Sequence, residues 1–314
     1  MLASRNWISC DGFYGQPSRM HGNKRAMNQC ASLTNDPTEL AAALKARGYL
    51  KLGCRPDVAA AVSAVLTEAD AFFSLPQALK DQNTLSDLCE GYRGLGSEYS
   101  YVEERPDLHE SFWVHAFNAE KARARLDRHG RPLYHSMLRA AELFDQTIAT
   151  ILVSLQRYYG VPNADKPHFA TAFGSHLQLN FYAPPQHDRD LLMDCHEDGL
   201  LFTILHSNAS GLEIRTPDGS FEPVTTEPGE LFIMSGDIAM LLSGGEIQPL
   251  YHRVRNMPQV RKRMSLMYFA NPDASHTRRL KPWRETDVNH DVDIMRRVIE
   301  NPLKFGLPPI PIVR

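Results

Sequence analysis

Long apolar runs, paired cysteines and an excess of either charge are all missing from this chain of 314 residues. No apolar stretch approaches the roughly 20 residues needed to span a bilayer, so no membrane partner is expected. The five cysteines, Cys10, Cys30, Cys54, Cys89 and Cys195, are scattered, odd in number and without a Cys-x-x-Cys pair. That pattern argues against a disulfide framework or zinc cluster and for reduced thiols. A formal charge of −3 gives no overall pull toward nucleic acid or anionic lipid. Met1 to Cys30 mixes Arg, Asn, Asp, Gly and Pro without a continuous apolar core. No signal peptide is read there, and cytoplasmic residence is the expectation. Internal repeats and low-complexity tracts are absent too.

What the chain does contain is enough apolar residue, 43%, to bury a core in one large domain or two small ones. Residues 1–35 have weak periodicity and read as an N-terminal extension. Asp36-Pro37-Thr38-Glu39 combines an N-cap acid, a first-turn proline and a glutamate, and Gly48 ends the helix it starts. Tyr49 to Leu52 reads as a strand. Helical stripes follow over Pro56 to Ser74 (Val58, Ala61, Val62, Val65, Leu66, Ala69, Phe72) and Pro132 to Tyr159 (Leu138, Leu143, Phe144, Ile148, Ile151, Leu152, Leu155).

From His176 the texture changes to short strands between Gly, Pro and Asp: His176 to Tyr182, Leu200 to His206, Leu212 to Thr216, Leu231 to Ser235, Ala239 to Leu242 and Met264 to Ala270. Such spacing predicts a mainly β protein with flanking α-helices around a double-stranded β-helix, or jelly-roll, core. The expected division is 1–35 extension, 36–165 helical and strand region packing on the core, 166–275 jelly roll, and 276–314 a C-terminal helix, Val288 to Glu300, with a proline-rich tail.

Within that core stand His196-Glu197-Asp198, a later His252, and Arg263-Met264-Ser265. With 13 histidines in the chain, His-x-Asp alone carries little weight. Residues i and i+2 of a strand share a face, however, so His196 and Asp198 can grip one metal, and the interval to His252 leaves room for the chain to return. Two imidazoles and one carboxylate on one face of a ferrous ion leave three positions open for cosubstrate and dioxygen. Arg263 and Ser265 also share a face, offering a guanidinium fork and a hydroxyl to a carboxylate. Adjacent to His196, Cys195 would point the opposite way and read as a buried bystander.

These stretches, with Leu179-Asn180-Phe181-Tyr182, Gly236-Asp237, Gly244-Gly245, His252-Arg253-Val254 and Tyr268-Phe269-Ala270-Asn271-Pro272, resemble the isopenicillin N synthase-like branch of the iron(II)/2-oxoglutarate-dependent oxygenases. The similarity is continuous from about Leu177 to Pro272. It implies Fe(II) on His196, Asp198 and His252, and 2-oxoglutarate held at its distal carboxylate by Arg263 and Ser265 with Asn180 and Tyr182 nearby. O2 would be the other cosubstrate, with succinate and CO2 released as a small metabolite is hydroxylated, desaturated or cyclised. Halogenation is disfavoured because Asp198 is present. His206 departs from the glutamine that many relatives carry.

Upstream, Gly91-Tyr92-Arg93-Gly94 is similar to a loop that relatives place near substrate. Arg93, Tyr101 and, on the strand that follows, Phe112 are therefore candidate substrate residues, and alternation along their strands adds Gln178, Met267 and Phe269 as candidate wall residues. Arg93 has a second reading, as a solvated partner of Glu98 or Glu103; Met267 and Phe269 have one as plain core. The expected partner is a small, carboxylate-bearing molecule. The basic group Arg253, Arg255, Arg261, Lys262 and Arg263 lacks the interleaved aromatics of a nucleic-acid surface. A 2-oxoglutarate-independent iron oxidase of the same fold stays open as an alternative, as does a non-catalytic binding protein. Oligomeric state is left undetermined by the sequence.

Overall fold

Asp36 caps the first helix: its carboxylate accepts the Thr38 N–H at 2.8 Å, and helix α1 runs Pro37–Arg47. Gly48 closes it at φ +73°, where a side chain would meet the Gln248 carbonyl at 3.0 Å. The computed structural model describes residues 36–100, 104–183, 189–273, 279–286, 292, 293 and 296. The extension 1–35, the candidate Tyr101 and most of 276–314 lie outside the described residues.

After β1 (Tyr49–Gly53) come α2 (Pro56–Phe73), α3 (Gln77–Asp81), β2 (Thr84–Leu85), β3 (Glu90–Arg93), β4 (Glu110–His115), α4 (Ala119–Arg125) and the long α5 (Gly130–Tyr158). The remaining elements are β5 (His176–Tyr182), β6 (Leu191–His196), β7 (Phe202–Ser207), β8 (Leu212–Arg215), β9 (Phe221–Val224), β10 (Glu230–Ser235), α6 (Asp237–Leu242), β11 (His252–Arg255), β12 (Arg263–Ala270), β13 (Arg279–Leu280) and β14 (Val292–Asp293).

Two antiparallel sheets form the jelly-roll core. The larger has the order β1-β10-β7-β12-β5-β4-β3-β2; the smaller is β6-β11-β8-β9. Helices α1, α2 and α5 bury their apolar stripes with the outer face of the large sheet, through Val62, Val65, Phe72, Phe144 and Ile151 against Phe112, Leu179, Leu266 and Tyr268. A second cluster, Leu205, Phe232, Met234 and Met267 with Leu212 and Ile214, fills the space between the sheets. Strand β5 is buried along its whole length because each face packs on one of these layers. No helix among the described residues is long and apolar enough to cross a membrane.

Several expectations are corrected. Ala239 to Leu242 is not a strand but part of α6, with Ile238, Ala239 and Leu242 buried on one helical face. A four-residue apolar run does not distinguish the two. The helix expected over Val288 to Glu300 does not hold at residues 292–293, which pair with Arg279–Leu280 as β14. The Asp293 carboxylate accepts the Arg296 N–H at 3.0 Å, and Arg296 itself is helical; the rest of that expected helix lies outside the described residues. Strand β9 contains Pro223, which a sheet edge tolerates. Phe112 does not face the interior: it is fully buried against Phe72, ring centroids 5.1 Å apart, on the helix side of β4. In the basic group, Arg253 and Arg255 pair with Glu213, and Lys262 with Asp70.

The burial of Phe112 yields a test. Phe112→Ala should lower unfolding free energy by about 3–5 kcal/mol in urea denaturation, while Phe112→Leu leaves ligand binding unchanged. A Phe112→Leu variant that bound ligand poorly yet was fully stable would return this residue to the pocket wall.

Candidate active site

His196 ends β6 and His252 opens β11 directly opposite it in the antiparallel register. Their rings lie 4.3 Å apart at 56°. Asp198 lies in the turn just beyond β6, not on the strand as expected, because the Leu200 N–H closes onto the Asp198 carbonyl at 2.7 Å. The turn still brings its carboxylate back: Asp198 Oδ1 is 3.6 Å from His196 Nε2 and 3.9 Å from His252 Nε2. One ligand atom from each of the three residues falls within 4.8 Å of the others.

Backbone carbonyls set the two imidazoles. His196 Nδ1 donates to Asp194 O (2.8 Å) and His252 Nδ1 to Leu250 O (3.2 Å). A carbonyl only accepts, so each Nδ1 carries the proton and each Nε2 presents a lone pair to the shared space. Burial, then the neighbouring His252, pushes the His196 pKa down, against the pull of Asp198, and keeps the ring in the neutral form a metal requires.

Two supports of Asp198 are not among the candidate site residues, although one, Gly236, lies in a stretch that carries the family resemblance. Thr203, buried on β7, donates its hydroxyl to Asp198 Oδ2 at 2.5 Å. Gly236 packs on the Asp198 turn so closely that a Cβ would stand 2.4 Å from the Asp198 carbonyl and 2.2 Å from that of Leu200. Both contacts depend on which strand ends abut in space. Cys195 is half-buried, not buried as expected, since the end of β6 is only partly covered.

Strand β12 lies between β5 and β7, and its register with β5 pairs Arg263 with Tyr182, Ser265 with Asn180, Met267 with Gln178 and Phe269 with His176. All eight share the interior face. The Arg263 guanidinium is 2% exposed and lies 4.8 Å over the Tyr182 ring. None of its three nitrogens has a hydrogen bond in sound geometry among the described residues, and neither do Ser265 Oγ or Asn180 Nδ2. Burial lowers the Arg263 pKa, opposed by Tyr182. Three buried, unsatisfied donors side by side cost several kcal/mol unless an acceptor joins them. A bound carboxylate is such an acceptor.

At the other end of β12, Phe269 stacks on His176 (4.7 Å), His176 on Trp113 (5.0 Å), and the Arg93 guanidinium lies 3.7 Å over Trp113. Thr203 pairs with Phe269 across β7 and β12, so this aromatic row borders the Asp198 end of the cavity. Arg93 has no carboxylate at ion-pair distance among the described residues; Glu98 acts on it at longer range. Gln178 binds Glu98 and Asn180. Met267 packs in the apolar cluster between the sheets. His206 shares the helix side with its partner Leu266, and its Nδ1 binds the Glu230 carbonyl at 2.9 Å, away from the triad.

Residues 174–272, which hold this whole arrangement except Arg93, Glu98 and Trp113, match the model of the 2OG-Fe(II) oxygenase superfamily. That stretch is the 2OG-Fe(II) oxygenase region of the chain. The oxygenase is 27% identical over 270 residues to gibberellin 20 oxidase 2 of Oryza sativa subsp. indica, covering 82% of this chain and 69% of the relative. Its fold is that of a full-length Neurospora crassa protein solved in complex with alpha-KG, at a TM-score of 0.71 and 17% identity over 84% of this chain and 89% of that one. It is also that of dioxygenase for auxin oxidation 1 from Arabidopsis thaliana, in a 2-oxoglutarate complex (TM-score 0.58, 20% identity, 76% and 88% covered). Fe(II), 2-oxoglutarate and O2 are thus the cofactor and cosubstrates of this oxygenase, and the donor set fits them: a nitrogen-rich open triad beside an anion-seeking cradle.

Burial in the aromatic row, reinforced by His115 and Arg93, pushes the His176 pKa well below its ordinary 6.5. A folded-state pKa below the unfolded one means that protonation favours unfolding, so stability should fall as pH drops below about 6.5. His176→Phe keeps the stack and removes the titration. Its urea midpoint should drop less than wild type's between pH 7 and pH 5; equal drops would show that His176 does not carry this dependence.

Proposed function

We propose that His196, Asp198 and His252 hold the Fe(II), and that Arg263 and Ser265 hold the distal carboxylate of 2-oxoglutarate, with Asn180 and Tyr182 as further hydrogen-bond partners. The observation that carries this reading is the buried Arg263 guanidinium without a hydrogen-bond partner, in register with Ser265 and Asn180 on the face that leads to the triad. When bound, the iron, 2-oxoglutarate and O2 supply the oxidising chemistry, and 2-oxoglutarate leaves as succinate and CO2.

The chain's own work is to bind, orient and keep dry. The carbonyls of Asp194 and Leu250 fix the imidazole tautomers, and Thr203 holds one oxygen of Asp198 so that the other turns toward the histidines. Guanidinium and hydroxyl offer a carboxylate parallel, charge-assisted bonds in a dry environment. Met267 and the stacked Phe269, His176 and Trp113 exclude water from the opposite end.

The substrate is a compact small molecule bearing a carboxylate. Arg93, a half-buried cation laid on Trp113 without an ion-pair partner among the described residues, supports this class. Relatives named for gibberellin and auxin oxidation support small-molecule oxidation more broadly. Hydroxylation, desaturation and ring closure are all within the reach of such a site, and which one follows depends on the placement of the substrate carbon.

The anaerobically reconstituted Fe(II) protein, exposed to O2 with 2-oxoglutarate, should form succinate slowly even without substrate. Asp198→Ala should abolish this together with tight iron binding. Arg263→Ala should keep the iron but weaken 2-oxoglutarate binding by about 30-fold or more, the cost of removing one partner of a buried charged pair. Iron binding without any succinate, across a broad metabolite pool, would favour an oxidase that consumes no 2-oxoglutarate.

Once a carboxylate substrate is in hand, Arg93→Ala should raise its KM roughly tenfold, in line with the loss of one charged hydrogen bond. Substrate-free succinate formation should stay at the wild-type rate. An unchanged KM would remove Arg93 from the substrate site.

A further inference from the structure

One half-buried carboxylate near this site, Glu98, has no part in the proposed ligand contacts. Glu98 lies in the loop between β3 and β4 and makes four side-chain contacts. Its Oε1 accepts from the Ser111 hydroxyl and from Trp113 Nε1 (3.0 Å); its Oε2 accepts from Gln178 Nε2 (2.9 Å) and lies 3.3 Å from His109 Nε2. Burial alone would raise the carboxyl pKa, but bonding and charge from His109, with the Arg93 charge and the Ser111 hydroxyl, hold it down at about 2. Glu98 is therefore an acceptor, and only an acceptor, at any ordinary pH.

That one-sidedness propagates. An ionised carboxylate can take only the NH2 end of the Gln178 amide. The second hydrogen on the same Nε2 goes to Asn180 Oδ1 at 2.7 Å. With its oxygen so occupied, Asn180 has its NH2 left over, and this Nδ2 is the buried, unsatisfied donor beside Ser265 and Arg263. The direction of two amides is thus set by a charge that is not itself in the donor cradle.

We propose that Glu98 is a positioning residue for the cosubstrate site: by accepting from Gln178, it turns the Gln178 and Asn180 amides so that Asn180 offers an N–H, rather than a C=O, to the anionic ligand of Arg263 and Ser265. The proposal rests on the assignment of that cradle to 2-oxoglutarate.

Glu98→Gln should invert the relay. The Trp113 indole N–H can only donate, so the new amide keeps its oxygen toward Trp113 and turns its NH2 toward Gln178. Gln178 then presents its oxygen, Asn180 donates to it, and the Asn180 carbonyl faces the ligand. The single variant should weaken 2-oxoglutarate binding about tenfold or more, the scale of one charge-assisted hydrogen bond, with iron affinity unchanged. Both are read by anaerobic equilibrium dialysis of the full chain, independently of turnover.

The double-mutant cycle with Asn180→Ala separates positioning from a general structural role. If Glu98 acts through Asn180, Glu98→Gln should cost nothing further in the Asn180→Ala background; an equal loss there would overturn the proposal, as would unaltered 2-oxoglutarate affinity in the single variant. Should Glu98→Gln fail to fold, Gln178→Met cuts the relay in the middle and leaves Glu98 its other partners. It must show the same selective loss, and wild-type affinity would overturn the proposal. Wild-type protein that binds iron but no 2-oxoglutarate would instead overturn the cradle assignment, and this inference with it.

Discussion

The register of β12 between β5 and β7 is the constraint on which the cavity depends. It places Arg263, Ser265, Met267 and Phe269 inside and Met264, Leu266, Tyr268 and Ala270 against the helices. A slip of one residue would exchange the two sets, driving a guanidinium into the helix layer and a leucine into the polar cradle. The helix layer enforces the alternation, since Leu266 and Tyr268 join Leu177, Leu179, Phe144 and Ile151 in one apolar cluster. Helices α2 and α5, which contribute no residue to the site, thereby decide where its donors point.

The same register concentrates cost. Buried donors without partners destabilise a fold by about 1–3 kcal/mol each, and a buried unpaired cation by more. Arg263, Ser265 and Asn180 stand side by side in that condition. The extensive helix–sheet core offsets it, while ligand binding recovers it. A carboxylate bound to these donors would satisfy them, so much of its binding energy would come from removing a cost that the fold itself imposes.

How much of this was legible in the sequence follows from which contacts are local. Asp36 and Gly48 announce a helix by chemistry within one turn, and their capping contacts appear as written. The i, i+2 spacing of Arg263 and Ser265 puts them on one face wherever the strand pairs. His196, Asp198 and His252 converge, yet Asp198 gets there by a turn, since the β6–β11 ladder ends at His196. Phe112 was misplaced because one-residue parity at the start of β4 cannot be read from Glu110-Ser111-Phe112 alone; pairing with Leu179 on β5 decides it. Ala239 to Leu242 is too short for periodicity to separate helix from strand.

Thr203, Gly236 and Glu98 form a different class. Each acts on a neighbour in space through a single directional contact: a hydroxyl on Asp198, a missing Cβ under its turn, a carboxylate on Gln178. None is among the candidate site residues, although Gly236 lies in one of the stretches that carry the family resemblance, and each depends on strand ends or loops that meet only after the sheets form. Such contacts specify orientation more than affinity. The groups proposed to ligate and bind can therefore be picked out from residue type and spacing, while the groups that would aim them emerge only from the packed structure. In this chain the aim is supplied by a hydroxyl donor, by carboxylate and carbonyl acceptors and by a glycine, all lying behind the polar groups they direct.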